Sequence, residues 1–195
     1  MEELNKMKGR VKRYLDKDRY DHTIGVMHTA GCLAMRYGAD LNSALTAGLL
    51  HDCAKCLSND EKIRLCKKYH LDMNEAEVKN PGLLHAKLGA FLAWKKYNIE
   101  DKSILRAIAA HTTGRPAMSL LDKIIYIADF IEPGRCEAPN LDDVRALAFV
   151  DLDACLFKIL EDTLVYLNSK GAAVDPMTEK TYLFYKQLHD VKTHS

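Results

Sequence analysis

Apolar residues recur at spacings of three and four along nearly the whole chain, and no run of Val, Ile, Thr and aromatic residues alternates at period two. That periodicity predicts helices over about residues 3–16, 19–37, 42–53, 59–70, 74–78, 83–97, 101–112, 119–131, 140–149, 151–169 and 178–190. Several boundaries are written in the punctuation. Asn80-Pro81-Gly82 is a turn ahead of one helix, and Pro133-Gly134 and Gly171 each close another. Ser119 with Asp122 reads as a capping box, and Asn140 with Asp143 as a similar start. No internal repeat, low-complexity tract or linker divides the chain. The fold class expected is an all-α irregular helical bundle forming one domain over 1–195, with its core at about 19–135 and the helices of 140–190 packed on it.

Composition changes this picture little. At 195 residues, 48% apolar and 28% charged, the chain has the profile of a globular protein with ample core. A formal net charge of +1 creates no global field for nucleic acid or anionic lipid. The first helix is locally basic (Lys6, Lys8, Arg10, Lys12, Arg13, Lys17, Arg19), but Glu2, Glu3, Asp16 and Asp18 dilute it into a solvated face. No apolar stretch reaches the ~20 residues that span a bilayer. Six cysteines lack framework spacing and no secretory leader pattern precedes them, so reduced thiols in a cytoplasmic protein are expected. Cys53-x-x-Cys56 has no second pair and reads as incidental packing.

The candidate chemistry begins at His51-Asp52, which ends the apolar run Ala44-Leu45-Thr46-Ala47-Gly48-Leu49-Leu50. A buried ionised carboxylate must be paired, hydrogen-bonded or metal-bound. His22, His85, His111 and Asp129 also lie in or beside apolar helical stretches, whereas His28 reads as a lone surface or core helix histidine and takes no role. Asp129 sits within Ile124–Ile131, six residues from Lys123, which is not a facing spacing. Each of these alone is more often structural. Four histidines and two aspartates together predict a cation, and nitrogen and carboxylate donors without thiolates suit Fe, Mn or Zn better than Ca.

The order His…His-Asp…Asp resembles the HD phosphohydrolase superfamily, and the chain is similar to its YqeK family. The residues that carry this are Arg19-Tyr20-x-His22, Gly48-Leu49-Leu50-His51-Asp52-x-x-Lys55, Leu84-His85-Ala86, His111-Thr112-Thr113-Gly114 and the long segment from Met118 to Arg135. The resemblance covers about Arg19 to Asp190. It implies a bacterial enzyme that splits diadenosine tetraphosphate symmetrically into two ADP. Iron is the metal it implies, as one ion or two, with manganese or another divalent ion the alternative. By the same resemblance His22, His51, Asp52 and Asp129 hold the metal. Arg19, His22, Lys55, His85, His111, Thr112, Asp129 and Arg135 face the substrate. The family's usual Gly-x-x-Ile-His-Pro-x-Thr reads here Gly171-Ala172-Ala173-Val174-Asp175-Pro176-Met177-Thr178, with Asp175 in place of His, which bears on base preference.

The expected mechanism follows. Metal coordination lowers the pKa of water from ~15.7 towards 7, so that hydroxide attacks phosphorus in line. Arg19, Lys55 and Arg135 meet the phosphate charge, and Asp129 or Asp52 orients the water. His111 donates a proton to the leaving ADP. His85 and His111 could instead hold a second ion, with Asp52 bridging. The partners expected are a dinucleoside polyphosphate substrate and nucleoside diphosphate product, with a homodimer the assembly to test, and no membrane or nucleic acid. The alternatives are an HD phosphohydrolase acting on a deoxynucleotide, a monophosphate or a cyclic nucleotide, and a catalytically silent nucleotide- or RNA-binding module. A Nudix or P-loop nucleotide enzyme is disfavoured, because no Gly-x-x-x-x-Gly-Lys segment follows a strand.

Overall fold

Short polar side chains start most of the helices. Asp16, Asp40, Ser58, Asn74, Asp101, Ser119 and Asp151 each accept a backbone N–H of the first turn, answering donors that the helix leaves orphaned. The computed structural model describes residues 2–138, 140–171 and 174–193. Among them are eleven α-helices and no strand: α1 (Glu2–Val11), α2 (Lys17–Tyr37), α3 (Leu41–Leu50), α4 (Asn59–Lys68), α5 (Glu75–Lys79), α6 (Leu84–Tyr97), α7 (Lys102–Ala110), α8 (Leu120–Ile131), α9 (Leu141–Ala148), α10 (Leu152–Ser169) and α11 (Pro176–Thr193). Among the described residues no helix is long and apolar enough to cross a membrane.

The periodicity found every helix, and the differences lie at the ends. The first helix stops at Val11 rather than 16, and α2 starts earlier than expected because Asp16 caps it. Ser119 and Asp122 form the expected capping box. Asn140 does not cap α9. Its backbone is left-handed (φ 56°) and its side chain makes no capping bond, so it turns the chain instead. Gly171, with φ 61°, follows the end of α10 as expected. Ala172 and Ala173 lie outside the described residues.

The core is one cluster built around α3, whose Ala44, Ala47, Leu49 and Leu50 are fully buried. α2, α6, α7 and α8 all pack on α3, while α10 joins α8 to α9 and α11. One glycine sets the closest crossing. A Cβ on Gly48 would lie 2.8 Å from the Met27 Cα, so α2 and α3 meet almost backbone to backbone. That approach brings His22, one turn and more before Met27, to the residues that follow α3.

Candidate metal centre

His51 and Asp52 lie just past the end of α3, where the sequence pattern extended the helix to 53. The chain turns there because bonds shorten to three residues, Cys53 N to Leu50 O (3.1 Å) and Lys55 N to Asp52 O (2.9 Å). The His51 side chain takes part. Its Nδ1 lies 2.7 Å from the Gly48 carbonyl. The same device recurs twice, His85 Nδ1 to Gly82 O at 2.6 Å and His111 Nδ1 to Ile108 O at 2.7 Å. A carbonyl oxygen only accepts, so in each ring Nδ1 carries the proton and Nε2 is left to face the centre. His22 follows the rule through a side chain, its Nδ1 at 3.1 Å from Glu132 Oε1.

Four Nε2 atoms therefore converge on two carboxylates. His22 Nε2 is 3.0 Å from Asp129 Oδ1 and 4.0 Å from Asp52 Oδ2. His51 Nε2 is 3.5 Å from Asp52 Oδ2 and 3.9 Å from Asp129 Oδ1. On the other side of Asp52, its Oδ1 faces His85 Nε2 at 3.2 Å and His111 Nε2 at 3.5 Å, and those two nitrogens are 3.0 Å apart. His51, Asp52, His85 and His111 are buried, whereas the Asp129 side chain is 22% exposed.

The charges follow from this packing. Burial pushes the Asp52 carboxyl up, but the facing imidazoles of His51, His111 and His85 outweigh it and hold the group well below the usual carboxylate range. Asp129 behaves alike: burial raises it, while His22, His51 and His111 lower it further. Burial, with His111 and Lys55 beside it, pushes His85 down to about 4 despite Asp52. For His22 burial works downward, yet Asp129 and Glu132 win and its value is raised.

The donor set fits a metal. His22 Nε2, His51 Nε2 and Asp52 Oδ1 are buried and have no hydrogen-bond partner. Lone pairs on imidazole nitrogens and carboxylate oxygens pointed at one another need protons or a cation between them. Two groups bring their donors close enough to share an ion: His22, His51 and Asp129, and His51, Asp52 and His111. Nitrogen and carboxylate donors without thiolate are the set expected for a borderline divalent metal.

The other residues singled out in the sequence line this cluster. Arg19 Nη1 holds Asp52 Oδ2 at 2.9 Å. Lys55 Nζ donates to His85 Nε2 at 3.2 Å, and Thr112 Oγ1 is 3.1 Å from the Nε2 of both His85 and His111. Arg135 reaches Asp129 twice, Nη2 to Oδ1 at 3.1 Å and Nε to the backbone oxygen at 3.0 Å. Thus Arg19, Lys55 and Arg135 present positive charge around the cluster while holding its carboxylates and imidazole. Cys53 and Cys56 do not join it. Burial pushes the Cys53 thiol up to about 12, and Cys56 donates to Asp16 Oδ2 at 3.2 Å.

Beside His85 and His111 opens a cavity of about 400 Å³, lined among others by Ala86, Ala109, Thr113, Arg106, Arg115 and Asp175. Asp175 is buried. Its Oδ1 accepts from Met177 N at 2.7 Å at the start of α11, and its Oδ2 from Asn74 Nδ2 at 3.0 Å. Glu132, 3% exposed, is the site residue that sequence reasoning missed. Its signal was an acidic residue at the C-terminal end of a helix, where the dipole disfavours an anion.

Residues 19–134 match the HD domain family. The chain is 42% identical over 172 residues to a symmetrical bis(5'-nucleosyl)-tetraphosphatase of Bacillus subtilis, covering 88% of this chain and 91% of that protein. An enzyme of the same name from Staphylococcus aureus is 35% identical, with 88% of each chain covered. Among solved structures, a predicted HD superfamily hydrolase involved in NAD metabolism from Clostridium acetobutylicum superposes with a TM-score of 0.90. It is 39% identical, covering 94% of this chain and 96% of that one.

Proposed function

This chain belongs to the HD domain family, and we propose that it is a metal-dependent hydrolase that cleaves diadenosine tetraphosphate symmetrically into two ADP. One observation carries the reading: four imidazole Nε2 atoms and two carboxylates converge, and three of these buried atoms, His22 Nε2, His51 Nε2 and Asp52 Oδ1, have no hydrogen-bond partner. His22, His51, Asp52 and Asp129 would hold the metal. We take iron as the ion, in keeping with the donor set. Bound there, a divalent ion lowers the pKa of water and neutralises phosphate charge.

The protein's own residues supply the rest. Arg19, Lys55 and Arg135 stand around the carboxylates, and each guanidinium can grip two phosphate oxygens while Lys55 adds a point charge. The flank at Asp129, less buried than Asp52, is the side from which the polyphosphate enters, since Asp52 lies too deep to be reached first. Asp129, an anion at that mouth, orients the attacking water. One nucleoside occupies the cavity beside Thr113, within the size range of small-molecule sites.

A second reading of His111 is favoured by its geometry. Its Nδ1 is committed to Ile108 O and its Nε2 stands 3.5 Å from Asp52 Oδ1, within a second possible ligand group. We therefore assign His111, with His85 beside it, to a second ion rather than to a proton for the leaving ADP.

The test is product identity from anaerobically purified, metal-loaded protein. ADP as the only product of diadenosine tetraphosphate is expected. ATP with AMP would overturn the symmetrical cut. Turnover of monophosphates or cyclic nucleotides alone would favour another HD phosphohydrolase, and salt-sensitive RNA binding without hydrolysis a silent module. Metal analysis of the same preparation should give two equivalents, falling to one in His111→Ala.

A further inference from the structure

Glu132 places a carboxyl group where a charge would cost free energy twice. It is buried, and it caps the C-terminal end of α8, where the partial charge is already negative. Yet its surroundings are shaped to receive it. Oε1 accepts from His22 Nδ1 at 3.1 Å and Oε2 from Gly134 N at 2.7 Å. Two glycines make the space: a Cβ on Gly25 would come within 2.4 Å of Oε2, and one on Gly134 within 3.1 Å. Arg145, on α9, fastens the same loop by donating to the carbonyls of Ile131 (3.0 Å), Glu132 (3.0 Å) and Arg135 (2.8 Å).

We propose that Glu132 is a positioning residue of the metal centre, holding the His22 ring so that Nε2 faces Asp129. The other three imidazoles of the cluster are fixed by a carbonyl of their own chain segment. His22 lies within the regular part of α2, where the carbonyls are already bonded along the helix, so its Nδ1 needs a partner from outside. Glu132 provides it from α8, and as a carboxylate it also makes the imidazole a better ligand. Gly25 keeps the path from α2 to the carboxylate open, and Arg145 sets the height of the loop. The inference rests on the metal seat and not on the substrate, so its failure is separable from failure of the activity assigned above.

The experiment titrates metal-depleted protein with Mn²⁺, counting bound ion by paramagnetic resonance and without substrate. Wild type is compared with Glu132→Ala, Glu132→Gln, Gly25→Ala, His22→Ala and the His22→Ala/Glu132→Ala double variant. Glu132→Ala should weaken one ion by about 10–100-fold, the range for partners of metal-bound histidine. Glu132→Gln should fall between it and wild type. Gly25→Ala should match Glu132→Ala, because its methyl must displace the carboxylate. In the His22→Ala background the loss of Glu132 should add nothing. A carboxylate that only staples α2 to α8 would lower the thermal midpoint and leave Mn²⁺ affinity intact, and that result overturns the proposal. So does a further tenfold loss on top of His22→Ala. Were Glu132→Ala not to fold, unchanged affinity in both near-isosteric Glu132→Gln and Gly25→Ala would overturn it equally.

Discussion

On the deep side of the cluster, His85 and His111 are each fixed by a carbonyl three residues earlier in their own segment, and Asp52 is shut from solvent. On the shallow side, His22 depends on Glu132, 110 residues away, and Asp129 on Arg135, a side chain 36% exposed. The deep side chains are thus preorganised by local backbone. The shallow ones are preorganised by side chains that must arrive from elsewhere. Local supports survive as long as their own turn does, whereas remote ones can be removed singly, so the two sides should respond differently to mutation and to pH.

Asp52 belongs to the centre as a whole, and its removal should erase the difference. Asp52→Ala should abolish hydrolysis, a loss beyond 10³-fold, on the order of one or more transition-state contacts removed together. It should also deplete metal from the whole centre; one full equivalent retained with activity would contradict the shared role.

Removing a ligand from one side should separate the two. Asp129→Ala should lose one metal equivalent and about 10²-fold or more in turnover, while His111→Ala should lose the other equivalent. Elemental analysis of both variants showing the same single ion lost would collapse the distinction.

The pH response of the metal-free protein probes the deep side. His85 is lowered from 6.5 to about 4, so the native state favours its neutral form. Its contribution to stability is complete above the unfolded value and is lost as pH falls through the folded one. Between pH 6.5 and 4 the metal-depleted wild type should therefore lose on the order of 3 kcal/mol more than His85→Gln in denaturant unfolding. His22, raised instead, acts with the opposite sign in both proteins and cancels from the comparison. Equal losses in the two proteins would show that His85 is not held neutral.

The crossing of α2 on α3 joins the two sides. Gly48→Ala places a methyl 2.8 Å from the Met27 Cα, and parting α2 from α3 should cost about 1–3 kcal/mol in thermal or denaturant unfolding. Because His22 rides on α2, its ion should weaken more than the deep one. The smallest effect expected is that of Asp175→Asn. It keeps the acceptor for Met177 N and should change KM for diadenosine tetraphosphate by a few-fold at most, with kcat unchanged.

How far the sequence could be read follows the same division. His51, Asp52 and His111 are legible in the sequence as polar residues closing apolar runs, and His85 as one that follows Leu83-Leu84 at a helix start. The helices were visible too, since apolar periodicity and side-chain caps are short-range signals. The apolar pattern runs three residues past the end of α3, because backbone bonds that shorten to three residues, with His51 bonded to Gly48, turn the chain without a change of pattern. Asn140 has the residue type of a cap but is spent on a left-handed turn. Glu132 carries no local signal of its role, because its partner, His22, sits on another helix. The metal groups themselves required all of these helices at once, and only the family pattern, not spacing, connected them in advance.

The 22% exposure of Asp129 against the 2% of Asp52 also sets an order of traffic. If two ions fill the centre as proposed, the one beside Asp129 sits nearer solvent and should exchange faster than the one beside His111. A chelator should strip the ions in two kinetic phases, the outer first. Activity should vanish with the fast phase, while the inner ion, still caged by its own backbone turns, keeps the empty mouth ready to be reloaded.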